Sequence, residues 1–151
     1  MKKTEKTEKT PFTFSYSLLK VELVHFNIED SGVIYQDKDS ITDLRPNISA
    51  GVLKNEYIID YAINCKAFQN NEICSITTSS QFKTQTNLDI LDNLNNKDVV
   101  DFIARLGFIA NSQLMGMFRV KSDGTSYSRF CIPIRDMQEL STVLYSEYNR
   151  R

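Results

Sequence analysis

Few side chains in this 151-residue sequence are spaced for covalent chemistry. His25 is the single histidine, and an imidazole that titrates near neutrality suits a general base. No Ser, Cys or Asp stands at a spacing that ties it to a nucleophile, so a surface or packing role is expected for it. Glu22 and Asp60 fall on predicted strands as candidate acids, yet a solvated strand face explains them equally well. Cys65, Cys74 and Cys131 are odd in number and form no C-x-x-C pair, which falls short of what metal or redox chemistry needs. Cys65 and Cys74 approach each other across a predicted hairpin and are read as buried thiols. The sequence has no glycine-rich phosphate loop and no metal-ligand cluster. No catalytic residue, metal or cofactor is assigned, and an enzyme is not expected.

The informative chemistry is apolar. Between Asn95 and Val120, the residues Val99, Ile103, Leu106, Ala110, Leu114 and Met117 recur at steps of three and four, the spacing of one helical face. Phe102, Ile109, Met115 and Phe118 fall outside that stripe. A helix apolar on more than one side must be covered on more than one side. The chain's own sheet accounts for one cover, and a partner subunit or a client polypeptide is expected to supply the other. Asn95 or Asn96 caps this helix, with Asp98 placed well against the dipole.

The elements that position the helix follow in order. Residues 1–10 repeat Lys-Thr-Glu and predict a disordered tail, leaving 11–151 as a single domain. Phe12–Ile28 reads as one long strand whose inward side changes at Leu19 and again at Val24, which requires bulges or breaks. The span 29–47 is rich in Asp, Ser and Gly, contains Pro46, and reads as a loop with a short strand at Val33–Tyr35. Its length predicts a crossover rather than a hairpin. Glu56–Phe68 and Ile73–Thr84 alternate cleanly and form a hairpin about Asn70. After the helix come a loop at Lys121–Ser128, an extended Ile132-Pro133-Ile134 segment and a short helix, Met137–Tyr148. The order predicts an α+β fold on an antiparallel sheet.

Charge narrows the partners. A formal net charge of −1 and a pI near 5.8 supply no general field for nucleic acid or anionic membrane. No apolar run reaches the roughly 18 residues of a membrane span. The lysine-led N-terminus lacks the apolar stretch of a secretory signal, so a cytoplasmic protein is expected.

The strand Leu19–Ile28, the long connection, the hairpin Tyr57–Phe82, the helix Val99–Phe118, the Ile-Pro-Ile segment and the closing helix together resemble the SecB family of bacterial export chaperones, over roughly residues 18–148. The resemblance implies a four-stranded antiparallel sheet with the long helix packed on one face. It also implies a homo-oligomer, dimer or tetramer, that holds unfolded polypeptide clients in apolar grooves without ATP. Candidate groove or subunit-interface residues are Ile76 and Phe82 on the sheet and Phe108, Ile109, Met115, Met117 and Phe118 on the helix. Aromatic and methionine side chains accept many client sequences by repacking. Family members meet the SecA translocase motor through an acidic sheet surface; the polar strand positions here are mostly Ser, Thr, Asn and Lys. Some SecB-like proteins serve toxin–antitoxin systems instead, which makes such a system an alternative partner. The competing expectation is a structural or scaffold oligomer subunit that binds no client.

Overall fold

Four strands and one long helix follow one another as β1 (Tyr16–Asp30), β2 (Ile41–Leu53), β3 (Glu56–Gln69), β4 (Asn71–Thr86) and α1 (Lys97–Lys121), with a single 3-10 turn at Leu91–Asn93 before the helix. These elements come from a computed structural model that describes residues 14–36, 40–53, 56–125, 127–130 and 132. The N-terminal tail, the closing helix and all but Ile132 of the Ile-Pro-Ile segment lie outside the described residues.

The strands pair antiparallel in the order β1-β4-β3-β2. On β3, Ile59, Tyr61, Ile63, Cys65 and Ala67 are buried, and on β4 Ile76, Thr78, Ser80, Phe82 and Thr84 are. The alternation seen in the sequence is therefore the inward face of the two central strands. Asn70 makes the turn between them at φ 64, a backbone region that Asn tolerates.

β1 owes its shape to two insertions. Its register against β4 slips between Leu18 and Lys20 and again between Leu23 and His25. Each slip adds one residue, Leu19 and then Val24, and so resets the side-chain parity. As a result Tyr16, Leu18, Val21, Leu23, Phe26 and Ile28 all stand opposite inward residues of β4, from Thr86 down to Ile76. The two parity changes expected from the sequence are these bulges.

The span 29–47 departs from expectation. No strand forms at Val33–Tyr35, and β2 instead starts at Ile41 and runs straight through Pro46. Proline disrupts a central strand but is tolerated on an edge, and β2 is an edge. The expected crossover is present, because β1 and β2 occupy opposite edges of the sheet. Gln36 and Gln69 tie the crossover to the end of β3: the Gln36 amide donates to Gln69 Oε1 at 2.8 Å, and Gln69 Nε2 donates to the Gln36 carbonyl at 2.5 Å.

The Asn96 side chain caps α1 by accepting from the Asp98 amide at 2.9 Å. Asp98 in the first turn and Arg119 and Lys121 in the last complement the helix dipole. The helix lies on the inward face of the sheet, burying Val99, Phe102, Ile103, Leu106, Ala110 and Leu114. Each large apolar side chain buried this way contributes about 1.5–3 kcal/mol. At Gly107 the helix and sheet approach closely, since a Cβ there would sit 2.5 Å from the Tyr61 hydroxyl oxygen.

Candidate functional site

The two apolar sets on α1 separate once the sheet is in place. Phe102 packs against Tyr16 and Phe14, with ring centroids 4.3 and 5.5 Å apart. Phe118 stacks on Tyr127 at 6.0 Å and meets Phe130 edge-on at 5.9 Å. Spacing alone left these two rings open to the sheet or to an outside cover, and the chain itself covers them. Of the other candidates, Ile76 and Phe82 are fully buried beneath the helix. Ile109, Met115 and Met117 are half-buried, while Phe108 keeps 40% of its surface exposed. Ile76, Phe82 and Phe118 thus form part of the core, and the structure leaves contact with solvent to Phe108, Ile109, Met115 and Met117.

A larger exposed apolar surface lies on a strand. Tyr16 and Leu18 are each 39% exposed, Leu19 and Val24 48%, and Val21 36%. Tyr16, Leu18, Val21 and Leu23 point to the helix side of the sheet, for the register reason given above. The helix covers them only in part: Tyr16 meets Phe102 and Arg105, while Leu18 and Val21 keep more than a third of their surface exposed.

One polar contact ties α1 to β1 and a second ties it to the neighbouring β4. Arg105 donates to the Tyr16 hydroxyl at 3.1 Å, and Ser80, the partner of Leu23, donates to Gln113 Oε1 at 2.5 Å. Tyr16, Leu18, Val21 and Leu23 together make an apolar strip on the helix side of β1, and Ile109 lies on the flank of α1 that carries Arg105. At about 3.3 Å per residue, this part of β1 matches some six to eight residues of an extended chain. Beyond it, β1 presents an edge that no described strand pairs with.

Sequence reasoning named Ile109 but missed the strip. The signal was present, because a strand kept apolar across two parity changes has an inward face to preserve.

The opposite sheet face is polar and mixed in sign. Lys20 pairs with Glu22 at 3.0 Å, Lys83 with Glu56 at 2.7 Å, and Gln81 donates to Asp60 at 3.0 Å. His25 Nε2 lies 3.4 Å from the Thr77 hydroxyl. The thiols Cys65 and Cys74 are buried in the core. Burial, reinforced by Cys65, Asp30 and Glu72, pushes the Cys74 thiol up to about 12. A thiol held protonated in this way is a poor nucleophile. Among the described residues, no group of three His, Cys, Asp or Glu side chains is placed to hold a metal ion, and no helix is long and apolar enough to cross a membrane.

No family model and no curated protein matches the sequence. Among solved structures, the chain is similar to the Mycobacterium tuberculosis SecB-like chaperone Rv1957, determined in complex with a ChAD peptide from the Rv1956 HigA1 antitoxin. The TM-score is 0.59 at 6% sequence identity, covering 80% of this chain and 90% of that one. At that identity the likeness is one of fold alone: this chain has a SecB-like α+β arrangement.

Proposed function

We propose that the protein is a SecB-like, ATP-independent holdase that binds unfolded or extended apolar polypeptide, works in the cytoplasm and assembles as a homo-oligomer. The observation that carries this reading is the apolar strip on the helix side of β1, where Leu18 and Val21 stay exposed. An extended client satisfies both halves of the site. Its alternate side chains enter the strip, and its backbone has the edge of β1 to pair with. Phe108 and Met115, seven residues apart and so on one side of the helix, add a second adaptable surface, while the half-buried Met117 ends the stripe that faces the sheet.

The likeness to Rv1957 supports a peptide client, since that chaperone is bound to an antitoxin peptide. The mixed charge of the outer sheet face favours a toxin–antitoxin client over a translocase motor, because opposite charges interleaved at 2.7–3.0 Å present no acidic field.

The test measures solution mass by light scattering across concentration, with and without a permanently unfolded apolar polypeptide. The wild-type protein is expected to form an oligomer, take up the polypeptide and suppress its aggregation. Leu18→Ser combined with Val21→Ser removes two half-exposed aliphatic contacts and is expected to weaken uptake about tenfold. A monomer that ignores the polypeptide overturns the proposal. An oligomer that ignores it identifies a scaffold subunit instead.

A further inference from the structure

The two edges of the sheet are built differently. β1 is interrupted by its bulges, whereas β2 pairs with β3 from Ile41–Phe68 to Leu53–Glu56 with no shift of register. A long, straight, unbroken edge is the kind that templates pairing with another chain. Pro46 stands in the middle of it, opposite Ile63.

The direction of the proline nitrogen follows from the register. Only two residues separate Leu53 from Glu56 in the sequence, and the pair that closes such a connection exchanges both of its backbone hydrogen bonds. Bonded and non-bonded pairs then alternate along the ladder. Val52, Ala50, Ile48, Pro46, Leu44 and Thr42 fall on the non-bonded positions, so their backbone groups point away from β3 and toward the open edge. The ladder loses nothing at Pro46. The open edge loses a donor at its centre and gains a ring where an incoming carbonyl would sit. Asp43 and Arg45 beside it, paired at 3.0 Å and largely exposed, add charge to the same stretch.

We infer that Pro46 closes the β2 edge to sheet extension by a second copy of this chain. The strand is self-complementary in the antiparallel sense: without the proline, outward donors and acceptors at alternate residues would meet the same set on a rotated copy. This inference does not depend on client binding.

The test replaces Pro46 by Thr, a strong strand former that restores the donor without adding apolar surface. Its companion is Pro46→Thr with Ala50→Pro, which returns a proline to another outward-facing position. Circular dichroism checks that each variant retains the wild-type fold, and light scattering follows mass across concentration. Pro46→Thr is expected to reach at least twice the mass of the wild type at high concentration, and the double variant to return to the wild-type mass. A folded Pro46→Thr protein that keeps the wild-type mass throughout overturns the inference. So does a double variant as large as the single one, which would place the growth elsewhere than the β2 edge. Polypeptide uptake measured at low concentration in the same samples reports on the holdase reading separately.

Discussion

Two glycines on one helix show how differently the same residue type is used. A Cβ at Gly107 meets the Tyr61 hydroxyl oxygen at 2.5 Å and ring carbon at 2.8 Å, whereas a Cβ at Gly116 meets nothing within 4 Å. Alanine is the better helix former by about 1 kcal/mol, and at Gly116 that gain is unopposed. At Gly107 the overpacking costs about 1–3 kcal/mol, because a buried tyrosine or the helix axis must move. Gly116→Ala is therefore expected to raise the urea midpoint and Gly107→Ala to lower it; equal shifts in one direction would refute the close approach. The sequence showed neither role, since helical periodicity counts apolar residues and is silent about what faces a glycine. It did locate the helix and its cap, because Asn96, Asp98 and the stripe from Val99 to Leu114 all agree on one element. Spacing alone left open which apolar set meets the sheet, and the chain itself covers Phe102 and Phe118. Phe14 lies far off in the sequence from Phe102, and Tyr127 and Phe130 follow the helix in a stretch where helical spacing no longer says which way a side chain faces.

At the scale of elements, β1 was legible and β2 only in its second half, where Ile48–Leu53 reads as a short strand or the lead-in to the next. The parity changes at Leu19 and Val24 announced two bulges because each displaces a whole apolar row, whereas Pro46 and its polar neighbours disguised an edge strand as a loop. The bulges are themselves testable. Deleting Leu19 removes the first and leaves Leu18 opposite Thr84 and Lys20 opposite Lys83 in plain alternation, so Tyr16 and Leu18 keep their inward side. The deletion is therefore expected to preserve the Phe102 contact and the Arg105 hydrogen bond and to cost less than about 1 kcal/mol in chemical denaturation. Leu19→Ser keeps the inserted residue and is expected to be equally mild. A deletion that costs several times more than the substitution would refute this register, because it would mean that Tyr16 and Leu18 had turned to the polar face. The same register explains why the site was half-legible: the helical flank could be read from spacing, but the exposure of the β1 strip depends on how far α1 reaches across the sheet, which only the packing decides.

For the whole molecule, burial of ionisable hydroxyl and thiol groups sets a limit at high pH. The Cys74 thiol, 9.0 in its ordinary state, is raised to about 12 by burial and its neighbours. Burial also raises Tyr127, with Asp30 adding to it, and Tyr57, where the hydrogen bond to Asp89 adds to it. A folded state that holds its protons more tightly than the unfolded chain is favoured below the unfolded value and loses that advantage as pH climbs toward the folded one. Stability is therefore expected to fall between about pH 9 and 12, with Cys74 contributing a slope of up to ~1.4 kcal/mol per pH unit. Cys74→Ala should flatten the profile above pH 9 in urea titrations, and an unchanged slope would show that the thiol is not protected. The strand order has its own consequence for how the chain comes to exist. β2, β3 and β4 pair with their neighbours in sequence, but even the nearest β1 contact, Asp30 with Cys74, spans all of β2 and β3. On a ribosome, β1 emerges first and its only described partner emerges last of the four strands. Through that interval the newborn protein carries an extended apolar segment with no sheet to join, and so has the same need for shelter as the chains it is proposed to hold.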